Sequence, residues 1–211
     1  MRRVFERGTL MKRIVLIGDS ITYGENASSR KNSWAAKLDA YLKSELKGQF
    51  EVINNGTSGE TAQEGFDEVE DRVIKYTPDI VFIGYGTNDC TKEGSSYNNG
   101  YYNFESNIED IAESIRDQTN ATIVFNLAPP VIEELCSNDI FKIYNKDLKA
   151  YNDIVKKVAN SMTLAFIDHY RLMSDRDDLK ELIDTDGIHP NDKGHEVMFN
   201  NIISCTAHLF R

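Results

Sequence analysis

The stretch Arg13-Ile14-Val15-Leu16-Ile17-Gly18-Asp19-Ser20-Ile21-Thr22 decides the fold. Four apolar residues, three of them β-branched, run straight into Gly-Asp-Ser. This is the pattern of a strand covered on both faces that ends abruptly. Gly18 permits a sharp turn, and Asp19 and Ser20 favour turns and helix caps. Ser20 is therefore expected where a first strand opens into a loop. In an open α/β sheet that carboxyl edge is where ligands gather. A lone Gly-Asp-Ser is common, so Ser20 acquires meaning only if the rest of the chain supplies partners.

Downstream, strands and helices alternate. Ser33 to Leu46 carries Trp34, Ala35, Leu38, Tyr41, Leu42 and Leu46 at helical spacing. Phe50 to Asn54 reads as a second strand, and residues from Ala62 to Tyr76 as one helix ended by Pro78. Asp79 to Ile83 is a third strand, Phe104 to Asp117 an amphipathic helix, and Ala121 to Asn126 a fourth strand stopped by Pro129 and Pro130. Ile143 to Ala159 is helical, and Leu164 to Asp168 is a fifth strand. Asp184 to Pro190 is a loop. A last helix runs to about Ala207 with Asn191 as its N-cap. Five short apolar strands alternating with helices predict a three-layer α/β/α arrangement around a five-stranded, mostly parallel sheet. With no repeat or linker, residues 1–211 read as a single domain. Residues 1–11 form an N-terminal extension, and Met11 is a candidate start.

The 211 residues suffice for a sizeable core. A formal net charge of −10 argues against general nucleic-acid binding and against an anionic membrane surface. No segment approaches the length of a membrane span, and the basic start lacks the apolar run of a signal peptide. Cys90, Cys136 and Cys205 are scattered and odd in number, without metal-type spacing. They are expected to be buried or half-buried thiols in a reduced, cytoplasmic protein.

Three strand ends carry polar loops: Gly18-Asp19-Ser20, Asn54 to Gly59, and Gly86-Thr87-Asn88-Asp89. In a parallel sheet these loops emerge at one edge. A fourth stretch, Asp186-Gly187-Ile188-His189-Pro190, precedes the last helix and can fold back over that edge. A serine hydroxyl needs a base to become a nucleophile, and histidine suits by pKa. His189 is the candidate base. Asp186, three residues earlier, can fix its tautomer. Pro190 holds His189 extended. The Ser20 and Gly59 backbone N–H groups and the Asn88 amide are candidate donors for an oxyanion.

These four blocks resemble the GDSL-type esterases, or SGNH hydrolases, in identity and in order. The resemblance spans residues 18 to 190. It implies a flavodoxin-like α/β/α fold and serine esterase chemistry without metal or cofactor. It assigns the nucleophile to Ser20, the base to His189, the orienting acid to Asp186, and the oxyanion donors to Ser20, Gly59 and Asn88. The expected partner is a small-molecule ester, with short acyl groups on a polar or carbohydrate alcohol preferred. Lysophospholipase or thioesterase activity is the alternative, and a non-catalytic ligand-binding module is the reading from another class. Oligomeric state is not legible.

Other residues receive plainer expectations. Asp19 and Asp89 should hold their loops through backbone amides. Ser58 should be a turn residue, since Glu60 replaces the last glycine of a Gly-x-Ser-x-Gly elbow. Asp184, Asp186 and Asp192 beside His189 lack a second histidine to complete a metal site. His169 and His195 should be structural or surface residues, and Trp34 core or rim. Tyr97, Tyr101, Tyr102 and the stretch Leu127 to Leu135 are candidates to line a substrate site.

Overall fold

The computed structural model describes residues 11–46, 49–91, 100–136 and 142–210, without the side chains of residues 101 and 102. The expected extension before Met11, Tyr97, and the Tyr101 and Tyr102 side chains lie outside this description. Five strands form one sheet: β1 (Lys12–Gly18), β2 (Phe50–Gly56), β3 (Ile80–Gly84), β4 (Thr122–Leu127) and β5 (Ala165–Asp168), in the order β2-β1-β3-β4-β5. Every pairing is parallel, so the expected "mostly parallel" sheet is parallel throughout.

Alternation along the strands divides the core. Val15, Ile17, Val81, Ile83, Ile123 and Phe125 face one layer. That layer comprises α3 (Ala62–Asp67), α4 (Val69–Arg72), α5 (Tyr101–Gln118) and α6 (Asn145–Met162). Ile14, Leu16, Phe82, Val124 and Ile167 face the other. It comprises α2 (Trp34–Glu45), α7 (His169–Ser174), α8 (Leu179–Leu182) and α9 (Asp192–Thr206). Ile14 to Ile17 are all fully buried. Burying each such side chain contributes about 1.5–3 kcal/mol, so β1 anchors both layers.

The chain leaves β1 for β2 on one side and then reaches β3 on the other. The register aligns Gly18 with both Gly56 and Gly84, which sets three strand ends level. The split between neighbours of β1 is a topological switch point, and its carboxyl edge is where a site belongs.

Two expectations need correction, and two short helices went unread. Residues 62–76 are not one helix. They are broken at Glu68 and Val73 into α3, α4 and a 3₁₀ turn, Ile74–Tyr76. The Arg72 carbonyl accepts the Asn55 amide, and its guanidinium reaches Glu60 and Thr57. These tertiary bonds override helix propensity. Helices α7 and α8 have six and four residues and are too short for periodicity to reveal. Of the thiols, Cys136 is buried and Cys90 half-buried, but Cys205 is exposed near the end of α9.

Candidate active site

Ser20 begins a single helical turn, α1 (Ser20–Tyr23), rather than the expected loop. Asp19 caps it: Oδ1 accepts the Ile21 N–H at 2.9 Å. Gly18 is required by close approach, since a Cβ there would run into the Gly84 carbonyl oxygen and the Thr22 hydroxyl. The turn packs on α2 through Trp34, whose indole donates to the Ile21 carbonyl at 2.8 Å. Trp34 is thus core, at 1 % exposure.

His189 arrives from a loop pinned as a short antiparallel pair. Asp184 N–H donates to the His189 carbonyl at 2.8 Å, and Asn191 N–H to the Leu182 carbonyl at 2.9 Å. The Asn191 side chain then caps α9 by accepting from Lys193 and Gly194, as expected. This framing aims the ring. Ser20 Oγ lies 2.8 Å from His189 Nε2, and His189 Nδ1 lies 2.5 Å from Asp186 Oδ2. A carboxylate only accepts, so Nδ1 carries the proton and Nε2 is left to accept from the serine.

Asp186 also receives the Ile188 and His189 N–H groups on Oδ1 and the Asn26 amide on Oδ2. Burial works against its charge, but these donors and the imidazole hold it well below the usual carboxylate range. Burial likewise opposes the charged form of His189. The Asp186 hydrogen bond and charge, with Asp19 and Glu25 behind it, outweigh burial and raise its pKa above the ordinary value.

On the other side of Ser20 lies Gly59, whose φ of +82° suits glycine and whose Cβ direction is open. Among the described residues, the Ser20 and Gly59 N–H groups have no hydrogen-bond acceptor. Asn88 Nδ2 donates one hydrogen to the Glu60 carbonyl at 2.9 Å, which leaves the second for the cleft. Glu60 is held in turn: its carboxylate accepts from Tyr85 Oη at 2.9 Å and pairs with Arg72, which also bonds Thr57. Arg72 therefore grips residues 57 and 60, on either side of Gly59.

All five expected site residues border one cleft of about 440 Å³, with Glu25, Asn26, Ser58, Thr87, Thr91, Ile143 and Ile188. The stretch Leu127 to Leu135 is not in its wall. Leu127, Val131 and Ile132 are instead buried in the core, because this segment runs beneath the 186–188 turn, Ile132 N–H donating to the Gly187 carbonyl at 2.8 Å. Ser58 turns out to be more than a turn residue, since its hydroxyl donates to the Glu25 carboxylate in the cleft wall.

Asp19 and Asp89 hold backbone amides as expected, Asp89 binding the Ala62 N–H at 3.0 Å. Burial pushes their carboxyls up, to about 6 and about 7 respectively. The other acids disperse: Asp192 accepts from Ser28 and Asn32. Among the described residues no three His, Cys, Asp or Glu side chains converge as metal ligands.

Asn26 escaped the sequence reading, and of the two places expected for His195 the structural one holds. Asn26, at φ +59°, turns its amide onto Asp186 from 160 residues away. Asparagine after a glycine turn was a weak signal, because its left-handed backbone is unexceptional. His195 is fully buried. It donates from Nε2 to the Glu25 carbonyl at 3.1 Å and accepts the Trp34 N–H at Nδ1. It thereby ties the 25–34 segment to α9.

The profile of the GDSL-like Lipase/Acylhydrolase family matches residues 16–197, which include every residue of this arrangement. The chain belongs to that family. It is an ester-bond hydrolase. It is 26% identical over 184 residues to a multidomain esterase of Ruminococcus flavefaciens, covering 86% of this chain but only 20% of that protein. The chain thus spans about a fifth of that relative's length. Its fold matches a lipase/acylhydrolase from Enterococcus faecalis, with a TM-score of 0.80, 23% identity, and 94% and 97% of the two chains covered. An acetylxylan esterase from Geobacillus stearothermophilus superimposes with a TM-score of 0.72 at 20% identity, covering 92% and 93%. Among the described residues no helix is long and apolar enough to cross a membrane.

Proposed function

We propose that this esterase works through an acyl-enzyme on Ser20 and removes short acyl groups from a polar, sugar-like alcohol. The observation that carries the reading is the unbroken relay from Ser20 Oγ through His189 to Asp186, opening into a cleft that Gly59 and Asn88 share. His189 takes the Ser20 proton as Oγ attacks the ester carbonyl. The Ser20 and Gly59 N–H groups and the Asn88 amide then meet the developing oxyanion. When the tetrahedral species collapses, His189 returns the proton to the departing alcohol. Water repeats the cycle to release the acid.

The short-acyl preference is supported by the cleft wall. Its aliphatic side chains among the described residues are Ile143 and Ile188, while Glu25, Asn26, Ser58, Thr87, Asn88 and Thr91 are polar. A long chain would leave much apolar surface uncovered there. The likeness to an acetylxylan esterase of the same fold agrees with this reading.

The test is a series of 4-nitrophenyl esters from acetate to decanoate with wild type and Ser20→Ala. The reading expects kcat/KM to be highest at acetate or propionate and to vanish in the variant. A maximum at octanoate or beyond would favour a lipase or thioesterase type of substrate.

A further inference from the structure

Among the described residues lining the cleft, Glu25 is the charged group that the relay does not use. It is held at both ends: its carboxylate accepts the Ser58 hydroxyl, and its backbone carbonyl accepts the Nε2–H of buried His195. Glu25, Ser58 and Asn26 share the cleft with Ser20 and His189. No lysine or arginine among the described residues pairs with Glu25, and none lines the cleft. The next residue, Asn26, donates its amide to Asp186 Oδ2 at 2.8 Å, which sets this segment on the Asp186–His189 side of the cleft, and the carboxylate's field reaches the imidazole of His189.

The reaction's own geometry says which part of a substrate meets that field. His189 delivers its proton to the oxygen of the leaving alcohol, so the alcohol must depart on the His189 side of Ser20. The oxyanion donors Gly59 and Asn88 face the carbonyl oxygen instead. A carboxylate has about four acceptor positions, and Ser58 occupies one. The remaining positions can take hydroxyl donors from an alcohol. A phosphate or sulfate on the alcohol would bring like charge close to Glu25 inside a partly enclosed cleft, where screening is weaker than in bulk water.

We infer that Glu25, braced by Ser58, is a specificity-determining residue that admits neutral, hydroxyl-bearing alcohols and rejects anionic ones. This rests on the esterase reading of the cleft. It divides sugar-like esters from phosphate-bearing substrates such as lysophospholipids and acyl thioesters of nucleotide carriers.

The experiment measures kcat/KM for three aryl acetates, neutral 4-nitrophenyl acetate, anionic 4-acetoxybenzenesulfonate and cationic 3-acetoxyphenyltrimethylammonium, in wild type and Glu25→Gln. Taking the variant-to-wild-type ratio for each ester cancels its intrinsic reactivity. Relative to the neutral ester, the ratio should rise about fivefold for the sulfonate and fall about fivefold for the trimethylammonium ester, as a single charge a few ångströms away requires. In wild type alone, 1 M salt should narrow the gap between the sulfonate and neutral esters. This second measurement stands even if Glu25→Gln fails to fold. Equal ratios for all three esters, or a gap insensitive to salt, would overturn the role of Glu25 while leaving the esterase reading intact. A wild type inert toward all three would overturn the esterase reading itself and the inference with it.

Discussion

Arg72 offers the sharpest test of how the oxyanion side is built. Its guanidinium binds Glu60 and Thr57, and the Glu60 backbone carbonyl fixes the Asn88 amide. Glu60 is 6 % exposed, and its carboxylate otherwise accepts from Tyr85. Arg72→Met retains the aliphatic stem but strands a buried carboxylate. Breaking one partner of such a pair costs about 3–5 kcal/mol, out of a typical total of about 5–15 kcal/mol. Burial already places the Glu60 carboxyl above its ordinary value, with Tyr85 and Arg72 opposing that shift. Without Arg72 it must rise further. A carboxyl raised in the folded state destabilises once the pH exceeds its unfolded value, so the loss should be smaller at pH 5 than at pH 8. Glu60→Gln added to Arg72→Met should recover part of the loss. Urea unfolding followed by fluorescence of the single tryptophan, buried Trp34, measures these differences. Because Arg72 grips both sides of Gly59, kcat should fall at least about tenfold with KM little changed, short of the roughly 10²–10³ that losing one oxyanion donor outright costs. A stability loss under about 1 kcal/mol, equal at both pH values and with kcat intact, would refute the reasoning.

Other perturbations probe separate links. Asn88→Ala should lower kcat about 10²–10³-fold with a small change in KM, since its amide acts where charge develops; steady-state kinetics on 4-nitrophenyl acetate will show it. His189 must be neutral to act as base and its pKa is raised, so the acid limb of kcat/KM should lie above pH 6.5. Asp186→Asn should move that limb to lower pH and cut the plateau by orders of magnitude, which a pH–rate profile resolves. His169 is fully buried, and burial lowers its pKa to about 4. The unfolded chain then binds the extra proton as pH falls below about 6.5, so stability is lost in that direction. The stability advantage of wild type over His169→Phe should accordingly shrink by about 3 kcal/mol between pH 7 and pH 4, measured by urea titration at each pH.

Much of this architecture was legible because local signals agreed with the global fold. Ile14 to Ile17 bury on both faces of the sheet, as their unbroken apolar run required. The blocks at Ser20, Gly59 and Asn88 meet because parallel strands bring their carboxyl ends to one edge, and the loop before α9 folds His189 back over it. What stayed hidden depended on tertiary partners. Nothing local says that Arg72 must break a helix to reach Glu60, or that Asn26 must reach Asp186. The stretch Leu127 to Leu135 was expected in the substrate site from its position after β4. Leu127, Val131 and Ile132 went to the core instead, because burial there removes more apolar surface from water than an open cleft wall can, while Leu135 stays exposed. Glu25 carried no signal until its neighbours Ser58 and His195 were in place.

The central claim is that Ser20 is the nucleophile. A fluorophosphonate probe, followed by peptide mass mapping, tests it most directly. One label per chain is expected on the peptide carrying Ser20, with loss of hydrolysis in step with labelling and neither label nor activity in Ser20→Ala. A label on another residue, or a Ser20→Ala protein that still hydrolyses 4-nitrophenyl acetate at the wild-type rate, would contradict it.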